Sequence, residues 1–144
     1  MGMQFHGRCH CDNICFVFDA SAGLDLLGLR ACSCSFCRAH GARTTSDPQG
    51  AVSITLNQPA LLSRYRFGLG VTDFLVCARC GVFVGAMMEE GGARLITLNA
   101  NTFRPPPPPD FPLMPMEFGG EDIAARIARR RRKWTPVVTF AEGR

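Results

Sequence analysis

The chain has 144 residues, of which 47% are hydrophobic and 19% are charged, with 8 cysteines and a formal net charge of +4. This length and apolar content suffice for one domain with its own core, and they argue against a disordered chain. Residues 1–120 carry nine basic and nine acidic side chains, whereas residues 121–144 carry seven basic and three acidic ones. The excess charge is therefore confined to the C-terminal 24 residues, which disfavours a uniformly basic nucleic-acid-binding domain.

Residues 1–103 contain short β-prone segments separated by turn residues. Apolar, β-branched and alternating residues mark six predicted strands: 14–18, 51–56, 61–67, 71–76, 82–88 and 94–98. Turn residues such as Asp47-Pro48 and Gly91-Gly92 lie between them. This pattern predicts a mainly β domain of short antiparallel strands.

A proline-rich segment, 104–118, follows the predicted strands. Five consecutive prolines occupy positions 105–109. Because each proline lacks an N–H donor, the segment cannot form a helix or an interior strand. We predict a stiff connector that crosses the surface of the β domain, with a ligand for an SH3-type domain as the alternative.

The last segment, 119–144, predicts one helix and a tail that pack on the same domain. Acidic residues open the helix and the basic run 129–133 closes it, in the order that the helix dipole favours. Three apolar residues fall near one face: Ile123, Ile127 and Trp134. We expect the arginines to form a solvated face of the helix, and binding of nucleic acid or another anionic partner is the alternative.

The N-terminal residues lack the apolar segment of a signal peptide, and no stretch approaches 18 apolar residues. We therefore expect a cytoplasmic protein with no membrane partner. In a reducing compartment, clustered cysteines indicate metal ligands or catalytic groups rather than disulfides. Seven of the eight cysteines lie in three clusters: Cys9 and Cys11; Cys32, Cys34 and Cys37; Cys77 and Cys80.

Ligand counting predicts two zinc ions per chain. A structural zinc site is closed by four protein ligands, whereas a catalytic site keeps three and one open position. Joining the two cysteine pairs gives a closed structural site: Cys9, Cys11, Cys77 and Cys80. The triplet then forms a catalytic site with one position free: Cys32, Cys34 and Cys37. An iron–sulfur cluster is the alternative metal group. Gly81, directly after Cys80, permits the positive φ that metal-binding turns often need.

The remaining candidate side chains have weaker arguments. Cys15 is predicted to be structural, with a redox-active thiol as the alternative. His10 lies between two ligands in an extended segment and should point away from the metal. His40, three residues after Cys37, can reach a substrate at the open zinc position, whereas His6 has only its proximity to Cys9.

The three motifs together resemble one family. Gly7-Arg8-Cys9-His10-Cys11, the run from Cys32 to Arg38 with Gly41-Ala42, and Cys77-Ala78-Arg79-Cys80-Gly81 are similar to those of the glutathione-dependent formaldehyde-activating enzymes, a family that includes centromere protein V. The resemblance covers about residues 5–103. It implies a β-tent fold with the same partition of ligands into a structural and a catalytic zinc. It also implies carbon–sulfur lyase activity that joins glutathione to formaldehyde to give S-(hydroxymethyl)glutathione.

The sequence also departs from that family. Asp12 stands where the family often has glycine, Cys15 replaces other residues, and everything after residue 103 lies outside the motifs. A zinc ion with three thiolate ligands is a weak Lewis acid, so we expect it to bind and deliver a thiolate, and polarisation of the aldehyde oxygen is the alternative. Arg38 is a candidate contact for a substrate carboxylate, with a solvated or structural role as the alternative. The competing hypothesis is a non-catalytic zinc-binding module whose basic C-terminal helix binds an anionic partner.

Overall fold

Strands dominate the structure, a computed structural model that describes residues 2–142. Strands make up 44% and helices 19% of the chain, which confirms the predicted mainly β fold class. Within the described residues, eleven strands form one sheet, and three α-helices accompany it.

The strands have the following bounds: β1 Met3–Arg8, β2 Ile14–Ala20, β3 Leu29–Cys32, β4 Thr44–Thr45, β5 Ala51–Leu56, β6 Leu62–Tyr65, β7 Asp73–Cys77, β8 Phe83–Glu90, β9 Ala93–Asn99, β10 Leu113–Met116 and β11 Thr135–Glu142. The α-helices are α1 Leu24–Leu27, α2 Ser35–His40 and α3 Ile123–Lys133. The six predicted strands correspond to β2 and β5–β9. The other five strands and the two short helices were not predicted.

The sheet follows the order β1-β2-β5-β11-β9-β4-β3-β10, and β8, β7 and β6 continue from the other side of β9. Most neighbours are antiparallel, and the hairpin between β8 and β9 turns at Gly91-Gly92, where both glycines have the positive φ of a type I′ turn. Two pairs are parallel: β10 with β3, and β11 with β5. Parallel neighbours need long crossover connections, and here residues 33–112 separate β3 from β10 and residues 57–134 separate β5 from β11.

Two hydrophobic clusters anchor the cysteines. In the larger one, β2 contributes alternate buried residues, including Phe16 and Phe18, and Cys9 and Cys77 are fully buried within it. The smaller one contains Cys37 together with aromatic side chains that include Trp134. Each predicted ligand set therefore has at least one cysteine in a packed core.

The proline-rich segment crosses the surface of the sheet domain. Arg43 holds it there, because its guanidinium donates to the carbonyl oxygens of Pro107 at 3.0 Å and Pro108 at 2.6 Å. The chain then continues into β10 beside β3. The connector thus delivers Glu117 and Phe118 to the end of the strand that carries Cys32.

Helix α3 differs from the solvated basic face that the sequence predicts. Asp122 caps its N-terminus by accepting a hydrogen bond from the Ala125 N–H at 2.8 Å. Arg130 is buried at 6% exposure, whereas Ile123, expected on the packed face, is 45% exposed. The reason is that the Arg130 guanidinium packs on Trp134, with 4.2 Å between its Cζ and the ring centroid, and so turns that face inward.

The Glu121 carboxylate pairs with two arginines of α3, and this pairing predicts a pH-dependent contribution to stability. Arg129 donates two hydrogen bonds to it, at 2.8 and 3.0 Å, and these bonds, joined by Arg126, hold the pKa of Glu121 below its usual value. We expect Glu121→Gln to lower the free energy of unfolding by about 1 kcal/mol at pH 7.

Because the native pKa is depressed, this contribution is fully present above the unfolded-state pKa of about 4.3 and is lost as the pH falls through the native pKa. Denaturant unfolding at pH 7 and at stepwise lower pH should show the two proteins converging. Asp110→Asn, at an exposed carboxylate, is the matched control and should leave the free energy of unfolding unchanged at every pH. A difference between wild type and Glu121→Gln that persists at the lowest pH would contradict the ion-pair explanation.

Candidate metal centres and the adjoining cavity

Four cysteines converge between two turns of the sheet. Cys9 and Cys11 lie in the turn between β1 and β2, and Cys77 and Cys80 lie at the end of β7 and in the turn before β8. All four sulfur atoms lie within 4.8 Å of one another, with 3.5 Å between the Sγ atoms of Cys11 and Cys77. The fold thus brings together two pairs that are far apart along the chain, and the group can hold a metal ion.

Backbone geometry orients these sulfur atoms. The Ile14 N–H donates to Cys9 Sγ at 3.3 Å, and the Cys80 N–H donates to Cys77 Sγ at 3.5 Å. Gly81 has a φ of +80°, as expected for the second turn, and its N–H donates to the Cys77 carbonyl at 2.8 Å. Donors aimed at sulfur favour thiolates, which are the form that binds metal ions.

Asp12 occupies the left-handed region, with a φ of +66°, and is the one non-glycine residue with positive φ among residues 2–142. This conformation explains why glycine suits the position. The Asn57 side chain donates to the Asp12 carbonyl at 2.8 Å and holds the turn in place. Aspartate tolerates this conformation better than most residues.

Burial distinguishes the interior of this four-cysteine cluster. Cys9 and Cys77 are both fully buried, and burial raises the pKa of Cys9 to about 12. A cation is therefore needed to make Cys9 a thiolate at neutral pH. Four converging thiols of this kind match the donor set of a closed tetrahedral metal site.

The second cluster lies where β3 leads into α2. Cys32 ends β3, Cys34 caps α2 by accepting from the Cys37 N–H at 3.4 Å, and Cys32 Sγ accepts from the Cys34 N–H at 3.5 Å. The three sulfur atoms lie within 4.8 Å of one another. Among residues 2–142, no histidine, aspartate, glutamate or further cysteine joins this group.

The protons in this three-cysteine cluster are unequally shared. The hydrogen bond with Cys37 lowers the pKa of Cys32 to about 5, whereas the same bond, together with burial, raises the pKa of Cys37. Cys32 is therefore the thiolate of the pair at neutral pH. A thiolate beside two further thiols is a donor set that can hold a metal ion.

A cavity of about 210 Å³ adjoins the three-cysteine cluster. All three cysteines line it, and the four-cysteine cluster does not. Its apolar wall includes Phe67, Phe74, Phe83, Ala86, Phe118 and Trp134, and its charged wall comprises Arg30, Glu117, Arg126, Arg129 and Arg130. This volume greatly exceeds that needed for one water molecule and admits a small organic ligand.

The sequence pattern did not predict the charged wall of the cavity. The signal was present, because 126, 129 and 130 are spaced i, i+3 and i+4 and therefore share one face of α3. The apolar stripe Ile123, Ile127 and Trp134 predicts a different packed face. Arg30 had no comparable signal, because it lies in β3, a strand that the pattern did not reveal.

Two candidate substrate contacts lie elsewhere. His40 is exposed, packs on Phe36 with 4.4 Å between ring centroids, and does not line the cavity. Arg38 is also exposed and does not line the cavity. His6, the weakest candidate ligand, is instead hydrogen-bonded to the Gln4 side chain at 3.1 Å.

Cys15 lies outside both clusters. Its thiol donates to the Asp12 carbonyl at 3.3 Å, and burial, reinforced by the charge of Asp12, raises its pKa. A raised pKa disfavours the thiolate that redox reactions require. These contacts favour the structural interpretation of Cys15 over the redox-sensor alternative.

The sequence matches no protein-family model and no curated protein. A crystal structure of a Rhodobacter sphaeroides protein is similar in fold, with a TM-score of 0.56 and 22% sequence identity. The similarity covers 76% of this chain and 99% of that chain. Within residues 2–142, no helix has the length and hydropathy needed to cross a membrane.

The two cysteine clusters predict separable metal losses. We expect the wild type to bind two metal ions per chain, and both Cys77→Ser and Cys34→Ser to bind one, as measured by elemental analysis. Because Cys77 is fully buried in the larger hydrophobic cluster, Cys77→Ser should lower the free energy of unfolding by more than about 3 kcal/mol. Cys34→Ser should lower it less, since Cys34 is only partly buried beside the cavity.

Cys15→Ser is the matched control and should retain both ions. One bound ion in the wild type, or equal destabilisation by Cys77→Ser and Cys34→Ser, would contradict this division.

The left-handed conformation of Asp12 predicts unequal responses to two substitutions. Asp12→Ala should lower the free energy of unfolding by about 1 kcal/mol, because a Cβ is strained at positive φ and alanine lacks the polar group of aspartate. Asp12→Gly should stay within about 0.5 kcal/mol of the wild type, because glycine adopts this conformation freely. Both variants lose the exposed ion pair with Arg8, so denaturant unfolding of the pair isolates the backbone effect. Equal losses of unfolding free energy in the two variants would show that the aspartate side chain, and not the backbone conformation, determines the stability of this turn.

Proposed function

We propose that this protein is a zinc-dependent carbon–sulfur lyase-like enzyme that joins a thiol, glutathione or a similar molecule, to an aldehyde such as formaldehyde. One observation carries the proposal. The three-cysteine cluster has no fourth ligand of the searched residue types within residues 2–142, and it borders a cavity large enough for a small ligand. A three-ligand site with room for substrate is the arrangement of catalytic zinc, whereas four-ligand sites are structural. The resemblance of the three cysteine motifs to the glutathione-dependent formaldehyde-activating enzymes supports the same assignment.

The donor chemistry fits zinc at both clusters. Thiolates are soft ligands that select zinc, copper(I) or iron–sulfur clusters, and zinc is the usual metal of four-cysteine structural sites. Cys9, Cys11, Cys77 and Cys80 would hold the structural ion. Cys32, Cys34 and Cys37 would hold the catalytic ion, which when bound lowers the pKa of a thiol that occupies its remaining position.

The chain's own groups provide the surroundings for the reaction. Aromatic side chains, among them Phe74 and Phe83, line the same cavity as the three cysteines. Ser33 donates to Glu117 at 2.8 Å, and this hydrogen bond, with that from the Gly119 N–H, holds the pKa of Glu117 below its usual value. Glu117 is therefore ionised at neutral pH and can accept a hydrogen bond from a ligand in the cavity.

The reaction balances without an added oxidant or reductant. The thiolate sulfur attacks the aldehyde carbon and forms the carbon–sulfur bond, while the π electron pair of the carbonyl moves to oxygen. That oxygen takes up a proton, which replaces the one lost by the thiol.

The competing hypothesis, a non-catalytic module with a basic helix, gains no specific contact. Three arginines of α3 line the cavity instead of an outer surface, and Arg131 pairs with Glu90 at 2.8 Å. The basic surface available to an anionic partner is therefore smaller than the sequence suggested.

Zinc-dependent adduct formation tests the proposal. Exchange between ¹³C-labelled formaldehyde and its thiol adduct can be measured by NMR, with glutathione and with smaller thiols. We expect the zinc-loaded wild type to accelerate exchange above the uncatalysed rate. Cys34→Ser should reduce this acceleration at least about tenfold, because it removes a ligand of the catalytic ion.

Cys15→Ser should retain the acceleration, since Cys15 lies outside both clusters. Absence of zinc-dependent acceleration with every thiol would refute the enzyme and favour the binding module.

A further inference from the structure

We propose that the cavity beside the three-cysteine cluster binds a substrate that carries a carboxylate, with Arg130 and Arg30 as the residues that recognise it. The identity of the reacting thiol rests on the function proposed above. The anion site itself rests on the contacts of the two arginines.

Arg130 is a buried cation that has only neutral partners. It is 6% exposed and lines the cavity. Its Nη1 donates to Thr72 Oγ1 at 2.5 Å and approaches the sulfur of Met88 at 3.7 Å, and its guanidinium lies over Trp134. Its buried Nε has no hydrogen-bond partner, and no carboxylate within residues 2–142 pairs with it.

Arg30, half-buried in β3, also lines the cavity and also has only neutral partners. Its Nη2 donates to the hydroxyl oxygens of Ser46 at 2.6 Å and Thr97 at 3.1 Å. It forms no ion pair within the described residues. Burial, with the charges of Arg129 and Arg126, lowers the pKa of Arg130 to about 10. Arg130 therefore remains protonated at neutral pH.

The charges around the cavity leave these two cations uncompensated. Four arginines line it, against Glu117 in the lining and Glu121, which pairs with Arg126 and Arg129. Buried charges without a partner are costly, so native proteins pair them. A divalent ion with three thiolates carries one negative charge and offsets one of the two surplus cations. One cation remains for a ligand.

A carboxylate matches this remainder better than a phosphate. It carries a single negative charge, and its planar pair of oxygens fits the fork of a guanidinium. The arginines, the three cysteines and several phenylalanines line one cavity. A short carbon chain that joins a thiol at the three-cysteine cluster to a carboxylate at the arginines fits a cavity of about 210 Å³.

The test compares 3-mercaptopropionate with its neutral amide, 3-mercaptopropanamide, by isothermal titration calorimetry on the zinc-loaded full chain. The two probes have the same length and thiol and differ in charge. We expect the acid to bind the wild type at least about tenfold more tightly, because charge-assisted hydrogen bonds are the stronger class. Inorganic phosphate, added as a competitor, should displace the acid weakly.

Two variants locate the site. Arg130→Met should reduce the preference for the acid to less than about threefold, whereas Arg132→Met should leave it unchanged, since Arg132 is exposed on the same helix and does not line the cavity. If Arg130→Met does not fold, Arg30→Met takes its place and should also reduce the preference for the acid. Thermal unfolding of each variant identifies those that have lost the fold.

Equal binding of acid and amide by the wild type would overturn the inference, whether or not any variant folds. An acid preference that survives both Arg130→Met and Arg30→Met would also overturn it, as would stronger binding of phosphate than of the acid. A clear acid preference without zinc-dependent adduct formation would support the anion site and refute the proposed enzyme. Adduct formation that is equally fast with acid and amide, together with equal affinity for both, would support the proposed enzyme and refute the anion site.

Discussion

Pairing of β11 with two different strands makes the sheet continuous. β11 is parallel to β5, which belongs with β1 and β2, and antiparallel to β9, which belongs with the remaining strands. The four-cysteine cluster spans the same two halves, because Cys9 and Cys11 lie beside β1 and β2 whereas Cys77 and Cys80 lie beside β7 and β8. Backbone hydrogen bonds and converging sulfur atoms thus connect the halves at separate places, and the rest of the structure depends on this double connection.

The position of β11 also determines the wall of the cavity. Helix α3 leads directly into β11 through Trp134, so the helix cannot move away from the sheet without breaking that pairing. Arg126, Arg129 and Arg130 are therefore held at the cavity. Beside them, the proline-rich segment places β10 next to β3 and brings Glu117 to Ser33. The C-terminal third of the chain is a structural part of the site.

This arrangement separates two tasks within one cavity. The cysteines come from the part of the chain that resembles a known family, and they can hold the metal ions. The arginines, Glu117, Phe118 and Trp134 come mainly from the part outside those motifs, and they shape the space in which a ligand would lie. Proteins with the same cysteine motifs and different C-terminal segments would therefore share metal chemistry and differ in the ligands that they select.

The composition of the two ligand sets and the presence of six strands followed from the sequence, because cysteine spacing and β-prone alternation are local properties. The positive φ of Gly81 was local in the same way. The strands β10 and β11 were hidden, since each contains a proline and pairs with a partner distant along the chain. The direction of Arg130 could not be inferred either. A run of basic residues is compatible with a solvated helix face or with a cavity wall, and the packing of Trp134 and the pairing of β11 select between them.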